Sequence, residues 1–527
     1  MSSASSSSPA ATPQPFAQAL ELVQHLQRRW QARCIETHIS WVLVDGRHAW
    51  KFKKPIRLPF VDFTDLATRR HLCEQELRLN RRLAPDLYDK VIAVCGTPDA
   101  PEIDGQGAPI EYAVQMKAFA ADALASHQVH TGGLTARHID RLAVQLSAFH
   151  RRAARAEPAD GWGTPERILA PVRGLVAGLR AQPRMAAQGQ ALDRLSTWVD
   201  AEAARLAPVW LQRLAQGRVV EGHGDLHLAN VIVQGEEATA FDCIEFDPAL
   251  RWIDALNDLA FLLMDLMAHG REDLAWRALS CYLDDSGDHA GLPTLRFYLV
   301  GRALVRAMVA GLPGAQDAAA RADAVPEGAC AHRPPDYLAL ALRLIEAPPP
   351  ALLITHGVSG SGKSWQSQQL LERSAAIRVR SDVERRRLVQ AAPSPAAARY
   401  SQALTTATYE RLLALADVAL GAGWRVIVDA TFLRRADRQS FAELAAQHAV
   451  PCHVLHCQAP DDELVQRIRL RRAAAEDPSE ADEAVLAAQQ AAAEPLDDAE
   501  AAAVIRLDDT QPDPIGHLRT QWLGALA

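Results

Sequence analysis

Residues 357–364 constrain this chain more than any other segment. Their letters, GVSGSGKS, fit the pattern G-x-x-x-x-G-K-[ST] at every position. An apolar run over residues 351–355 precedes them, and a helical pattern through Leu371 follows. A glycine-rich loop between a strand and a helix presents backbone N–H groups at the positive end of the helix, where they bind phosphate. A merely flexible Gly/Ser turn would not need a strand before it and a helix after it.

The loop therefore predicts a nucleotide site. In such loops the lysine contacts the β- and γ-phosphates, and the hydroxyl of the last residue ligates Mg²⁺. We expect Ser364 to be that metal ligand. The residues expected to bind the nucleotide are Gly357, Ser359, Gly360, Ser361, Gly362, Lys363 and Ser364.

Beta-prone runs alternate with helical stretches from residue 351 onward. The runs are residues 351–355, 377–380, 425–428, 453–457 and 504–507. This alternation is typical of parallel βαβ units, in which the carboxyl ends of the strands share one edge of the sheet. The sequence predicts an α/β P-loop NTPase domain with a parallel sheet.

Further side chains are expected at that edge. Asp382 ends the second run and is placed to act as a base on an acceptor hydroxyl. Asp429 ends the third run, and its carboxylate can hold magnesium directly or through water. Arg467, Arg471 and Arg472 share a predicted helix that a closing lid would bring to the transferring phosphoryl group. A solvated basic helix explains these arginines equally well.

Together these residues resemble the P-loop small-molecule and polynucleotide kinases, a group that includes gluconate-kinase-like and zeta-toxin-like ATPases. The resemblance covers nearly all of residues 351–527, as a P-loop kinase or AAA-family ATPase type of domain. It implies ATP and Mg²⁺ as cofactors and places Asp382 on the acceptor side. The acceptor itself is not encoded in any motif of this unit.

Composition divides the rest of the chain. Residues 1–15 are rich in Ser, Ala and Pro and predict a disordered tail. Three consecutive prolines within residues 346–350 predict a semi-rigid linker, because proline cannot continue a helix. Between them, residues 16–345 begin with two β-prone runs joined by Asp45-Gly46, a hairpin signal, and become mostly helical. This order predicts a small β-rich lobe followed by a larger helical lobe.

A motif at residues 223–230, HGDLHLAN, indicates the kind of reaction that this first unit could catalyse. It fits the kinase catalytic-loop spacing H-x-D-L-x-x-x-N, with Gly224 in place of the usual arginine. Asp225 is placed to accept or orient the proton of an acceptor hydroxyl, and Asn230 to ligate magnesium. A predicted hairpin then returns the chain so that Asp242 lies beside Asn230, where a carboxylate can bridge a metal to the phosphates.

The run from His223 to Asp242, followed by Asn257-Asp258, resembles the aminoglycoside phosphotransferase family, which shares the protein-kinase-like fold. The resemblance covers residues 16–345. It implies that Asp225 is the catalytic base, that Asn230 and Asp242 ligate magnesium, and that Asp258 braces the catalytic loop. The implied fold class is an α+β protein-kinase-like bilobal domain followed by the α/β P-loop domain. No G-x-G-x-x-G loop lies between Thr37 and Asp45, an absence that the resembled family shares, so the resemblance favours a small-molecule acceptor over a protein.

A site of this kind needs a strand lysine for the α- and β-phosphates and a helix glutamate that holds the lysine. Lys51 occupies the strand position, and Lys53 competes with it because both lie on one face of the strand. Glu76 lies on the apolar face of the next helix, whereas Glu74 is expected to pair with Arg78. We expect Lys51 to pair with Glu76; a solvated edge beside an amphipathic helix is the alternative.

Residues 111–119 are a candidate for the connection between the lobes. The segment contains Val114 and Met116, and its backbone would meet the adenine of ATP. A plain core strand is equally consistent with the same letters.

Composition also limits the partners. A net charge of −8, from 56 basic and 64 acidic residues, disfavours binding of nucleic acid or anionic membrane by bulk charge, although residues 385–387 supply a local basic run. Apolar stretches are too short for a membrane span, no secretory signal stands at the start, and the 8 cysteines lack metal-site spacing. We expect a cytoplasmic protein with free thiols.

The whole sequence predicts a bifunctional ATP-dependent kinase with two separate ATP–Mg²⁺ sites, each transferring the γ-phosphoryl group to small-molecule hydroxyls. Two alternatives stay open. In the first, one unit is a nucleotide-binding regulatory module. In the second, the P-loop unit phosphorylates nucleic-acid 5′ ends.

Overall fold

A computed structural model describes residues 14–58, 61–311, 335–391, 402–474 and 482–524 of the chain. Helix α1 (Gln14–Trp30) begins inside the segment expected to be a disordered tail. The helix extends this far because Phe16 packs on the ring of Trp41, with ring centroids 5.3 Å apart. The tail predicted over residues 1–15 is therefore too long, and residues 1–13 lie outside the described ones.

The β-rich lobe is built on an antiparallel sheet. Its six strands lie in the order β1-β2-β3-β8-β6-β7. The strands are β1 (Arg33–Glu36), β2 (Ser40–Val44), β3 (His48–Lys53), β6 (Tyr88–Thr97), β7 (Ala100–Ile103) and β8 (Glu111–Lys117), with a separate pair β4 (Arg57–Leu58) and β5 (Val61–Asp62). Helix α1 packs on one face of the sheet, and α2 (Leu66–Asn80) on the other. The predicted hairpin at Asp45-Gly46 joins β2 to β3.

The helical lobe follows. Its longer helices are α3 (Ala125–Thr131), α4 (Ala136–Arg152), α5 (Pro165–Arg180), α6 (Gly189–Ala215), α7 (Pro248–Arg251), α8 (Ala255–Ala268), α9 (Glu272–Ser286), α10 (Leu292–Val309) and α11 (Tyr337–Ile345). Short 3₁₀ turns cover Ala121–Ala123, Pro158–Asp160, Pro183–Gln188, Leu228–Asn230 and His289–Gly291. Two small antiparallel pairs complete the lobe: β9 (Val219–Glu221) with β12 (Trp252–Asp254), and β10 (Val231–Gln234) with β11 (Glu237–Ala240).

A parallel sheet forms the P-loop unit, as predicted. Its five strands lie in the order β14-β15-β13-β16-β17. They are β13 (Leu352–His356), β14 (Ala376–Arg380), β15 (Arg425–Asp429), β16 (Cys452–His456) and β17 (Val504–Ile505). The helices are α12 (Lys363–Ser374), α13 (Ser381–Ala391), α14 (Gln402–Gly421), α15 (Arg435–Gln447), α16 (Asp461–Ala474), α17 (Glu483–Ala492), α18 (Asp498–Ala501) and α19 (Pro514–Leu523).

The fold class is thus an α+β bilobal unit followed by an α/β P-loop unit. Residues 346–350 connect α11 to β13 and belong to no helix or strand. Within the described parts of the chain, no helix has both the length and the apolarity that crossing a membrane requires.

The two units share one hydrophobic core. Helix α9 of the N-terminal unit packs on α12 and β14 of the P-loop unit. Trp424, just before β15, meets Trp276 of α9 edge to face at 5.6 Å between centroids, and its indole N–H donates to the Leu292 carbonyl at 3.1 Å. The guanidinium of Arg296 lies 4.3 Å from the centre of the Trp424 ring. The prolines therefore join two bodies that are packed together.

Trp424 gives a test of this interface. We expect Trp424→Ala to lower the free energy of unfolding by about 3–5 kcal/mol, because a buried indole and its contacts are lost. Trp365→Ala is the matched control: its side chain is 57% exposed, so stability should stay within about 0.5 kcal/mol. Calorimetric unfolding measures both. Equal stability of the two variants would contradict the shared core.

Candidate active sites

The first candidate site is organised around Lys51 on β3. Its Nζ atom lies 2.9 Å from Glu76 Oε1 and 2.5 Å from Asp242 Oδ1. Glu76 is fully buried on α2. Burial alone would raise the pKa of Glu76, but the charges of Lys51 and the neighbouring Lys53 lower it to about 2. The predicted pair is brought together, and the carboxylate of Asp242 is a second acidic partner of Lys51.

Lys53 occupies a different environment from Lys51. It is 1% exposed, and its Nζ atom donates to Glu76 Oε2 at 2.7 Å and to Glu245. Glu245 is itself buried, so Lys53 is enclosed by carboxylates away from Asp242. This geometry favours Lys51 as the phosphate-binding lysine. Sequence reasoning missed Glu245, although two lysines on one strand face imply a second buried acid.

The expected pair of Glu74 with Arg78 is wrong. Glu74 accepts from Arg70 at 2.9 Å, whereas Arg78 reaches the other lobe and donates to Glu221 Oε1 at 2.8 Å. Glu221 also accepts from Arg251 at 3.2 Å. Burial would raise the pKa of Glu221, but the arginine hydrogen bonds and charges lower it to about 2. Arg78 thus joins α2 to β9, immediately before the catalytic loop.

The loop with Asp225 is held by backbone and side-chain hydrogen bonds. Asp258 at the start of α8 accepts from the N–H groups of His223 at 2.7 Å and Gly224 at 2.8 Å. Gly224 has φ +88, and a Cβ there would lie 2.8 Å from the Leu250 carbonyl oxygen. The glycine that replaces the usual arginine is therefore required by the close approach of the backbone.

Asp225 itself faces two polar partners. Asn230 Nδ2 donates to its Oδ2 at 3.0 Å, and His227 Nε2 lies 3.3 Å away. Burial would raise the pKa of Asp225, but the nearby His227 holds it well below the usual range. Asp225 is consequently an ionised acceptor at neutral pH.

The hairpin β10–β11 returns the chain as predicted, with the Phe241 N–H donating to the Asn230 carbonyl at 3.0 Å. Asp242 follows with φ +64, a conformation unfavourable for a non-glycine residue and concentrated at functional sites. The amide oxygen of Asn230 and the carboxylate of Asp242 are hard oxygen donors, the type that Mg²⁺ prefers. The donor set therefore fits the predicted metal.

Met116 lies in the sheet core. It is 7% exposed and sits on β8 opposite Ala49 and Tyr88 of the neighbouring strands. After β8 the chain leaves the sheet towards the helical lobe, and the Ala118 N–H donates to the Arg47 carbonyl at 2.9 Å. The segment is a core strand that leads to the connection between the lobes, and the contact of its backbone with adenine stays a prediction.

A cavity of about 500 Å³ lies one side chain away from the loop of residues 223–230. Arg302 lines it and donates to the Gly224 carbonyl at 3.3 Å. Most of the lining is apolar or aromatic and includes Trp162, Pro171, Val172, Leu175, Trp252 and Phe297. Because it is lined by residues of the helical lobe far apart in sequence, the cavity was not foreseen.

The second candidate site lies at the carboxyl ends of β13 and β15. The loop after β13 places Gly360 at φ +86, where a Cβ would lie 2.8 Å from the Leu464 carbonyl oxygen. Helix α12 begins at Lys363, whose Nζ donates to the Val358 carbonyl at 2.7 Å. Ser361 Oγ is buried and has no hydrogen-bond partner among the described residues. These features fit a loop that encloses phosphate groups.

A cavity of about 220 Å³ faces this loop. The predicted residues that line it are Ser359, Gly360, Gly362, Lys363, Ser364, Asp382, Asp429 and Arg467. Asp429 ends β15 and accepts from Ser367 Oγ at 3.3 Å. The Ser364 hydroxyl and the Asp429 carboxylate are oxygen donors suited to Mg²⁺.

Asp382 differs in detail from the prediction. Strand β14 ends at Arg380, so Asp382 lies in the first turn of α13 and not at the strand end, because a helix starts directly at Ser381. Arg467 on α16 donates to the Gly360 carbonyl at 3.3 Å. The side chains of Arg471 and Arg472 lie outside the described residues, although their backbone belongs to α16.

Gln489 is a further contact that the sequence did not indicate. Its side-chain oxygen accepts from the Ser359 N–H of the phosphate loop at 2.8 Å. Gln489 lies on α17, far from the loop in sequence, so only the folded chain brings them together.

Comparison with known proteins addresses the chain as a whole. Residues 352–496 match the family described as AAA domain. "Uncharacterized protein Rv2004c" of Mycobacterium tuberculosis (strain ATCC 25618 / H37Rv) is 30% identical over 463 residues, covering 86% of this chain and 89% of the relative. "Uncharacterized protein Mb2027c" of Mycobacterium bovis matches to the same extent. The chain belongs to the family of these mycobacterial proteins. Since the match covers 86% of the chain, this family includes residues on both sides of the proline connection.

Solved structures give weaker likenesses. A putative kinase from Chloroflexus aurantiacus j-10-fl is 21% identical, with 33% of this chain and 93% of that chain covered and a TM-score of 0.27. A choline/ethanolamine kinase family protein from Mesorhizobium loti is 12% identical, with 62% and 99% covered and a TM-score of 0.34. At these TM-scores the fold assignment rests on the strand orders described above.

The two strand lysines make the first site testable. We expect Lys51→Met to weaken ATP binding at this site by about ten- to a hundredfold, because charge-assisted contacts to phosphate are lost. Lys53→Met should instead cost about 3–5 kcal/mol of stability, because it leaves Glu245 buried without its cationic partner. Titration calorimetry and thermal unfolding of both variants measure this. The reverse pattern, with Lys53→Met losing affinity and Lys51→Met losing stability, would contradict the placement.

Proposed function

We propose that the chain is a bifunctional ATP-dependent phosphotransferase with one ATP–Mg²⁺ site in each unit. Residues 16–345 would act as a kinase domain of the aminoglycoside-phosphotransferase type, and residues 351–527 as a P-loop kinase domain. The observation that supports the proposal is a common set of residues: each unit holds near one another a lysine, two side chains with oxygen donors of the kind that Mg²⁺ prefers, and a further aspartate. These residues are Lys51, Asn230, Asp242 and Asp225 in the first unit, and Lys363, Ser364, Asp429 and Asp382 in the second.

In the first unit, Asp225 would take the proton of the acceptor hydroxyl. Its low pKa keeps it ionised, and Asn230 and His227 hold its orientation. Lys51 would neutralise charge on the phosphates while Glu76 fixes the lysine. Mg²⁺, when bound, would supply the remaining neutralisation of the transferring phosphoryl group, with Asn230 and Asp242 as its ligands.

In the P-loop unit, Lys363 and the loop N–H groups would bind the phosphates. Asp382 would act on the acceptor hydroxyl from the far side of the cavity, and Arg467 would stabilise charge on the transferring group. Ser364 and Asp429 would hold Mg²⁺.

The acceptors are proposed to be small molecules that carry a hydroxyl. For the first unit, the cavity of about 500 Å³ beside the catalytic loop supports an acceptor with a largely apolar body, since its lining is mostly apolar and its size is that of a small-molecule site. For the P-loop unit, Arg387 donates to the Leu283 carbonyl at 2.9 Å, so one member of the basic run 385–387 is engaged with α9. This contact gives no support to a nucleic-acid groove.

ATP turnover by single-site variants tests the proposal. We expect Asp225→Ala and Lys363→Ala each to remove only part of the total phosphate release, and the double variant to remove nearly all of it. Loss of a general base or a phosphate-binding lysine typically costs about 10²–10⁴ in rate at its own site. Labelled-phosphate transfer to a panel of hydroxyl compounds then attributes each acceptor to a site.

Exposed residues supply the controls for that assay. Lys90 and Asp285 pair with Asp104 and Arg151 at the surface, so Lys90→Ala and Asp285→Ala should retain wild-type turnover. Complete loss of turnover in either Asp225→Ala or Lys363→Ala alone would contradict two working sites. It would favour the alternative in which one unit is a regulatory nucleotide-binding module.

A further inference from the structure

The last turns of α9, in the N-terminal unit, contact the P-loop site directly. Arg378 of β14 is 4% exposed and bridges the units: Nη1 donates to the Ser364 carbonyl at 3.3 Å and Nη2 to Ser280 Oγ at 3.4 Å. Ser364 is the expected metal ligand of the phosphate loop. A residue of α9 is therefore one side chain away from that ligand.

Arg380 makes a second bridge. Its Nη1 lies 3.5 Å from Asp284 Oδ2 on α9, and its Nε lies 3.8 Å from Asp429 Oδ2. Asp429 is the other oxygen ligand expected for Mg²⁺. The guanidinium thus stands between a carboxylate of the N-terminal unit and the metal-binding carboxylate of the P-loop unit.

The segment that carries Asp382 rests on the same turn of α9. Arg387 donates to the carbonyl groups of Leu283 and Asp284, and it pairs with Glu384 within α13. Strand β14 and the start of α13 therefore contact the end of α9 in addition to their neighbours within the P-loop unit.

We propose that Asp284 is a positioning residue of the P-loop site, contributed by the N-terminal unit, and that it sets the site's affinity for Mg²⁺. The inference rests on the proposed nucleotide site of the P-loop unit. Asp284 pairs with Arg380 and so weakens the attraction between Arg380 and Asp429. Arg380 then competes less strongly with Mg²⁺ for the Asp429 carboxylate. Without Asp284, the guanidinium would pair more strongly with Asp429, and the metal would bind less well.

The test measures ADP and Mg²⁺ binding by calorimetry in the full chain with Lys51→Ala, where nucleotide binding at the first site is expected to be weakened and the P-loop site to bind nucleotide more tightly. We expect Asp284→Asn to raise the Mg²⁺ concentration needed for half-saturation by about tenfold, the scale of losses when a side chain behind a metal ligand is altered. The dissociation constant of ADP in EDTA should change by less than about twofold, because Lys363 and the loop are intact.

Asp285→Asn is the matched control, since this neighbouring carboxylate pairs with Arg151 and not with β14. It should leave both binding constants unchanged, whereas Asp284→Glu should restore most of the Mg²⁺ affinity. An unchanged Mg²⁺ requirement in Asp284→Asn would overturn the inference. So would an equal loss of ADP affinity with and without Mg²⁺, which indicates a merely structural role. If the Lys51→Ala chain binds no ADP at all, the proposed function of the P-loop unit fails, and the inference fails with it.

Discussion

Helix α9 lies between the rest of the N-terminal unit and the P-loop unit, and both candidate sites depend on its packing. On one side, the Tyr282 hydroxyl lies 2.9 Å from His150 Nδ1, and His150 Nε2 lies 3.0 Å from Asp258 Oδ2. Asp258 in turn accepts the backbone N–H groups that shape the loop before Asp225. On the other side, Asp284 contacts Arg380 of the P-loop sheet. Moving α9 would therefore disturb the loop before Asp225 and the sheet edge that carries Arg380 and Asp429 together.

Buried charge imposes the second constraint on the molecule. An ionised group in the interior is tolerated only with a partner, because removing it from water costs several kcal/mol. At the first site, positive and negative side chains are neighbours, so each buried charge has a partner of opposite sign. Lys51 and Lys53 lie among Glu76, Asp242 and Glu245. The same arrangement that satisfies the buried charges leaves Lys51 and Asp242 partly exposed to solvent. The residues that pair the buried charges are therefore the same residues that are proposed to bind phosphate and metal.

Local patterns in the sequence predicted most of the fold. The P-loop, the hairpin and the parallel strands could be predicted, because they depend on residues close together in the chain. These local signals are the glycine spacing, the Asp45-Gly46 turn and the strand periodicity. Long-range partners were not: the sequence gives no sign that Gln489 meets the phosphate loop. The predicted partner of Arg78 was wrong for the same reason. An i,i+4 rule considers only residues of one helix, whereas the observed partner, Glu221, comes from the other lobe. The interface through Trp424 was hidden by the three prolines, which suggested separate bodies.

If both proposed sites bind ATP, each chain should bind two nucleotides, and this number can be measured on the full chain. Equilibrium dialysis of the wild-type chain with a labelled, non-hydrolysable ATP analogue and saturating Mg²⁺ should reach two equivalents per chain. A plateau at one equivalent would show that one of the two proposed sites, at Lys51 or at Lys363, binds no nucleotide.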